Sequence, residues 1–356
     1  MNRRQKKAKK NTIVLVFTIL SVIIQLVGFQ KDVLATNGPP KEDKNAVVGF
    51  TVEPILTSTQ VDETKSYYYI KVNPNEPQTL TLKIRSTIEE ERKVKISVKD
   101  AFTNQNGNID YDAKSYVRDK TLKDSLEDAS IVEPKEIAVK NFEEKEVTVT
   151  IKPPKEPFEG VKIAAICVTK VNDEDKTKGL STSFGYRLGL MTTEENEPEY
   201  ANSKSLNFLN VKPTVHQGKR VIQTTLQNPE PKILKNLTVE TKLREKGSNE
   251  VLRKRTTNDM RMAPNSQFDF ATNWGLDPIR PGTYVLSVKA SSGEHSWSWN
   301  KEFTIGEEQA QKINEEASYT ITYPKWVPLV VILLGVLTIC TIGALYVRRK
   351  KWTSPK

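Results

Sequence analysis

The sequence predicts an all-β protein, two tandem β-sandwich domains held between a targeting segment and a membrane helix. Three observations predict it. Apolar and polar residues alternate through most of residues 46–305, as they do in strands with one face on a core and one in water. Turn-forming clusters such as Asn73-Pro74-Asn75, Asn106-Gly107-Asn108, Pro153-Pro154 and Asn172-Asp173 punctuate those runs. Long apolar runs lie at both ends of the chain, each flanked by basic residues.

The N-terminal end reads Arg3, Arg4, Lys6, Lys7, Lys9, Lys10, then an apolar run from Thr12 to Phe29, then Val33-Leu34-Ala35. A charged region, an apolar region and a small-residue cleavage site make a secretory signal peptide over residues 1–35, with an uncleaved anchor as the alternative. From Ala46 the strand pattern begins. Leu80, Leu82 and Ile84 alternate with Thr81 and Lys83. Val94, Ile96 and Val98 alternate with Lys95 and Ser97, and Val147, Val149 and Ile151 with threonines. Residues 161–171 and 180–191 are further strand candidates, so the first sandwich is expected over 46–191. Within it, Leu122 and Leu126 stand at helical spacing and predict a short helix over 120–129. Residues 192–200, acidic and poor in apolar side chains, read as a linker.

Seven strand-like runs follow: 206–211, 219–227, 237–243, 251–255, 266–274, 283–290 and 295–303. Their number and spacing predict a second sandwich over 201–305, and an immunoglobulin-like architecture for both domains. Residues 306–325 are expected to hold a juxtamembrane helix and a linker. Trp326 to Tyr346 are 21 residues without a charge, bracketed by two aromatics and followed by Arg348-Arg349-Lys350-Lys351. That is a transmembrane helix over 326–346 and a basic cytoplasmic tail over 347–356, a single-pass type I arrangement with the sandwiches outside.

Charge excludes one class of function. Of the 356 residues, 54 are Lys or Arg and 44 are Asp or Glu, a net +10. Residues 1–35 hold seven basic side chains and one acid, and residues 326–356 hold five basic side chains and no acid. The 290 residues between carry 42 basic and 43 acidic side chains. A balanced ectodomain lacks the clustered basic surface that phosphate neutralisation requires, so no nucleic-acid partner is expected. The two cysteines, Cys167 and Cys340, lie in a strand-like run and in the C-terminal apolar run, so neither a disulfide nor a cysteine zinc site is expected. His216 and His295 are the whole imidazole supply; the first reads as solvated in a loop, the second as the start of a strand. No phosphate loop, nucleophile elbow or metal-ligand spacing occurs. The reading is a non-enzyme without cofactor or metal. The alternative is a cell-wall hydrolase, whose two carboxylates would have to meet in space.

The binding candidates are polar and aromatic. Tyr67-Tyr68-Tyr69 on a strand puts Tyr68 on one face and its two neighbours on the other. Thr103, Asn104, Asn106, Asp110 and Tyr111 form a polar loop around an Asn-Gly pair, which is either turn chemistry or a saccharide-binding loop. With Tyr68 they are the candidates for saccharide contact. Trp297 and Trp299 share one strand face, as core residues or as an aromatic stripe that anchors a partner.

Longer stretches carry a resemblance. The first domain has Ala101-Phe102-Thr103-Asn104-x-Asn106-Gly107-x-Ile109-x-Tyr111 and Phe158-Glu159-Gly160-Val161. The second has Met260-Arg261-Met262-Ala263-Pro264-Asn265-Ser266, Arg280-Pro281-Gly282-Thr283-Tyr284 and Trp297-x-Trp299-x-Lys301-x-Phe303, then Glu308-x-Ala310-x-x-Ile313-Asn314. The chain resembles the WxL-interacting proteins of low-GC Gram-positive bacteria over nearly its whole length. That resemblance implies a peptidoglycan-binding first domain and a second domain that binds WxL-domain surface proteins, host extracellular-matrix proteins, or both. It also implies a place in the cell membrane with the ectodomain facing the wall.

Overall fold

The structure, a computed structural model, describes residues 48–111, 116–171, 184–196, 199–318 and 326–353. The expected signal peptide, 1–35, lies outside the described residues.

The first sandwich is built from β1 (Phe50–Ile55), β2 (Tyr68–Lys71), β3 (Gln78–Ser86), β4 (Arg92–Asp100), β5 (Phe102–Thr103), β6 (Ile109–Asp110), α1 (Leu126–Ala129), β7 (Ser130–Glu133), β8 (Glu136–Val139), β9 (Glu144–Ile151), β10 (Lys162–Lys170) and β11 (Gly185–Thr193). One sheet has the order β1-β3-β9-β7 and the facing sheet β2-β11-β10-β4-β8. Every pairing in them is antiparallel except β2 with β11. Leu80, Leu82 and Ile84 of β3 bury completely against Val94 and Ile96 of β4 and Ile166 of β10, so the alternation in the sequence is the core face. Cys167 is a buried thiol within β10.

Three details differ from the sequence reading. The helix expected over 120–129 is reduced to α1. Asp119 Oδ1 accepts from the Thr121 backbone and hydroxyl, and Asp124 takes a left-handed φ of 48°, so the chain turns until Ser125 caps the helix by accepting from Asp128 N. Strand β11 continues through Thr192 and Thr193, both buried, so the linker is shorter than 192–200. Tyr68 is a core residue: fully buried, it donates its hydroxyl to the Thr81 carbonyl. No surface is left on it for a saccharide. The parallel pairing of β2 with Leu190–Thr193 turns Tyr68 into the core and Tyr69 outward, against Val161 and Met191.

The second sandwich contains β12 (Asn207–His216), β13 (Lys219–Asn228), β14 (Leu234–Glu245), β15 (Arg253–Met262), β16 (Ser266–Asn273), β17 (Gly282–Ser292) and β18 (His295–Ile305). Its sheets have the orders β12-β13-β16 and β15-β14-β17-β18. Seven antiparallel strands in two layers agree with an immunoglobulin-like sandwich. His216 is the last residue of β12, paired with Lys219, rather than a loop residue. The fourth run extends beyond 251–255 to Met262. β15 is an edge strand whose only fully buried apolar side chains are Met260 and Met262, and two register shifts against β14 blur its period.

Helix α2 (Glu307–Glu316) belongs to this sandwich rather than to a free linker. Ala310 and Ile313 join the core. Arg220, buried on β13, donates from Nε to Asn314 Oδ1 at 2.8 Å and from its terminal nitrogens to the Asn314 and Leu276 carbonyls. Helix α3 spans Val327–Thr353. The described side chains on it end at Ala344, and over the described residues no helix is long and apolar enough to cross a membrane.

Candidate functional site

The polar loop of the first domain is the β5–β6 hairpin, which packs against β15 and β16 of the second sandwich. Its turn is self-contained. Asn104 Oδ1 accepts from the backbone of Asn106 (3.0 Å) and Asn108 (3.1 Å), and Gly107 N donates to Asn104 O. Gly107 takes a φ of 73° and sits so close to Met260 that a Cβ would overlap that side chain.

The hairpin then bonds across to the second domain. Arg261 N donates to Gly107 O at 2.6 Å. Thr103 Oγ1 accepts from Ala263 N at 3.0 Å and lies 2.6 Å from Ser266 Oγ. Thr103 is therefore buried and occupied, and it is withdrawn as a ligand contact. Beside the hairpin, Asp119 accepts from Gln227, and Val161 N donates to Pro231 O at 2.8 Å. Gly160 comes so near that carbonyl that a Cβ would overlap it. The stretch Met260–Ser266 gives two side chains to the core and uses Ala263 and Ser266 to receive the hairpin. Asn265, at a φ of 47°, makes the turn and donates to Pro229 O. Residues that looked like local turn chemistry thus form the joint between domains.

The hairpin divides two clefts. On one side a groove of about 900 Å³ runs between Asn104, Asn106 and Asp110 and the outward face of β12, β13 and β16, where Lys212, Gln223 and Gln267 stand. Asp110 Oδ1 accepts from Tyr111 N and is 3.5 Å from the Arg187 guanidinium. On the other side a cleft of about 560 Å³ gathers Tyr67, Tyr111 and Tyr200 with Asn108, Asp259 and Arg261. Of the first-domain candidates, Asn104, Asn106 and Asp110 come together in the groove, and Tyr111 faces the other cleft. Tyr67 belongs to the tyrosine run read above, whereas nothing local marks Tyr200 and Arg261 as contacts, because the cleft exists only where the domains meet.

Trp297 and Trp299 do share one face. Both are half-buried against the second core, with the Trp299 ring centroid 6.0 Å from that of Phe208 on β12. They fill the side of the sandwich where β18 approaches β12, keeping one partly open edge rather than forming a free stripe. Among the described residues no group of three or more His, Cys, Asp or Glu side chains is placed to hold a metal ion.

Two sandwiches joined through their chemistry-bearing loops, with polar clefts at the joint, define a two-domain β-sandwich binding protein. Residues 50–170 match the peptidoglycan binding domain of WxL Interacting Protein, and residues 175–315 match its host binding domain. The chain belongs to the WxL-interacting protein family, with the two domains in the order the sequence implied. Both matching families are binding domains, which agrees with a cell-surface binding role. The second match begins ahead of β11, a strand that pairs in the first sandwich.

No curated protein matches the chain. Solved structures similar to it include the CsuC–CsuE chaperone–tip adhesion subunit complex of Acinetobacter baumannii, at 13% identity over 62% of this chain and 89% of that one, TM-score 0.29. Others are the CupB2 chaperone of Pseudomonas aeruginosa (11% identity, 63% of this chain, 91% of that one, TM-score 0.27) and the chaperone DraB of E. coli (15%, 72%, 98%, TM-score 0.25). Similarity at that level carries no functional argument.

Proposed function

We propose that this chain is a membrane-anchored, non-enzymatic binding protein of the Gram-positive surface, attaching to peptidoglycan through its first sandwich and to a WxL-domain protein or a host-matrix ligand through its second. The observation that carries the reading is the tandem match of two binding domains over the two sandwiches. Asn104, Asn106, Asp110 and Tyr111 are the peptidoglycan contacts in this reading, and the open edge at Trp297 and Trp299 is the partner contact. The uncharged run 326–346, followed by four consecutive basic residues, is the anchor. Anchoring makes weak contacts effective, because a tethered module meets a repetitive polymer at local concentrations up to about millimolar.

The test is sedimentation of the full-length, detergent-solubilised chain with purified peptidoglycan, with and without a WxL-domain protein. Co-sedimentation with both supports the reading, and failure to pellet with either overturns it. Release of soluble fragments from the peptidoglycan, abolished by an Asp or Glu substitution, would replace it with the hydrolase. Deleting residues 326–356 is expected to move the protein from the membrane fraction to the medium. Retention in the membrane would show that the N-terminal segment is the anchor.

A further inference from the structure

We propose that the cleft between Tyr67, Tyr111 and Tyr200 is a saccharide subsite shared by both domains, taking a carboxylate-bearing amino sugar with Arg261 as its charge partner. The proposal rests on the peptidoglycan reading and assigns it a location.

The tyrosine hydroxyls carry the first argument. Two core tyrosines have bonded hydroxyls: Tyr68 donates to Thr81 O, and Tyr284 donates to Arg280 O at 2.9 Å. Among the described residues the hydroxyls of Tyr67, Tyr111 and Tyr200 have no protein partner, although all three rings are half-buried and line one cleft. Three phenols at a single cleft, with hydroxyls the fold does not use, are available as hydrogen-bond donors to a ligand. Phenols are protonated at neutral pH, and burial pushes those of Tyr67 and Tyr111 further above their ordinary value.

The floor and rim carry the second. Ile163 and Met191 form an apolar base, and Tyr67 lies flat enough on Gly189 that a Cβ there would touch its ring at 3.4 Å. Apolar and aromatic surface with a few convergent polar groups suits the C–H face of a sugar ring, and about 560 Å³ lies within the usual range of ligand sites. Arg261 is rooted at the rim by its backbone bond to Gly107 O, and its exposed guanidinium makes no ion pair among the described residues. A guanidinium so placed binds a carboxylate through two parallel hydrogen bonds. Asp259, two residues back and also exposed, takes a left-handed φ of 57°. An acid beside the guanidinium accepts from sugar hydroxyls or amides and disfavours a bare polyanion such as a polyphosphate.

The test measures binding of the soluble N-acetylglucosamine–N-acetylmuramic acid disaccharide, whose lactyl carboxylate is free, to the full-length chain in detergent by calorimetry. Arg261→Gln and Tyr111→Phe are each expected to weaken it about tenfold. A chitin oligomer, which lacks the carboxylate, is expected to bind more weakly and to be indifferent to Arg261→Gln. Tyr68→Phe is expected to lower the melting temperature without changing affinity, which separates stability from contact. Wild-type affinity in Arg261→Gln and Tyr111→Phe overturns the proposal, as does loss of binding in Gln223→Ala instead, which would place the ligand in the groove. If the wild-type chain pellets with peptidoglycan but does not bind the disaccharide, this site fails alone; if it does neither, the peptidoglycan reading fails and this site with it.

Discussion

The carboxylate of Asp119 receives the side-chain amide of Gln227 on both oxygens, at 3.0 and 2.9 Å, across 108 residues of sequence. Both residues are almost completely buried, and Asp119 Oδ1 also accepts from Thr121. A loop of the first sandwich is thereby fastened to the face of the second. With the hairpin bonds at Thr103 and Gly107, it makes the joint a polar, directional contact rather than a flexible tether.

Gln227→Ala removes one side of that contact and leaves a buried carboxylate short of a donor. We expect a loss of about 2 kcal/mol in unfolding free energy, read by urea denaturation. Hydrogen exchange at the Arg261 amide, which closes the neighbouring bond to Gly107, should quicken. Unchanged exchange there would show that the hairpin holds without Asp119.

Gly160→Ala introduces a Cβ against the backbone carbonyl of Pro231, at a residue whose φ is 68°. Neither the carbonyl nor the dihedral adapts easily, so a destabilisation of about 1–3 kcal/mol is expected. Gly247→Ala, at a comparable φ of 82° but with open space around it, isolates the dihedral contribution. Equal losses in the two variants would exclude a steric role for the joint.

Asn314→Ala tests the attachment of α2. Asn314 accepts from Arg220 Nε, accepts from Ile279 N, and donates to Ile279 O. Its removal leaves the Arg220 guanidinium buried with fewer acceptors, a change of about 3 kcal/mol. Limited proteolysis should then cut within residues 307–318 faster than in the wild-type chain.

Glu240 gives a dependence on pH. Hydrogen bonds from Lys242 and Lys254, with their charges, lower its carboxyl to about 2 from an ordinary 4.5. A carboxyl depressed in the folded state contributes stability that is complete above the unfolded value and is lost as pH falls through the folded one. The second sandwich should therefore lose part of its stability between pH 4.5 and 2, and Glu240→Gln should flatten that part of the profile. The pairs are at the surface, so the change is small and should shrink further in high salt.

Cys167 is buried, with its thiol 3.9 Å from the Ala165 carbonyl. Reducing agent should leave the melting curve where it is; a large drop would reveal an intermolecular bridge.

Much of the architecture was legible in the sequence. Leu80, Leu82 and Ile84 or Val147, Val149 and Ile151 announce their strands because a period of two records which side of a sheet faces the core. The second sandwich was read as seven runs and has seven strands. The brief or edge elements β5, β7 and β15 were obscured, since a strand of two to four residues has no measurable period and an edge strand buries few side chains. α1 was read too long because Leu122 and Leu126 keep helical spacing, whereas hydrogen bonding at Asp119 turns the chain before it.

By itself, then, the sequence determined the class, the order of the domains, the apolar segments at either end and the family, all of which are written in local composition and spacing. Only the tertiary structure decided what the chemistry-bearing residues do. Thr103 meets Ser266 across 163 positions, Tyr68 is sealed in the core by a parallel strand partner, and Tyr67, Tyr111 and Tyr200 converge from three separate segments. Contacts of that separation leave no period or motif behind, because they depend on how two finished surfaces fit.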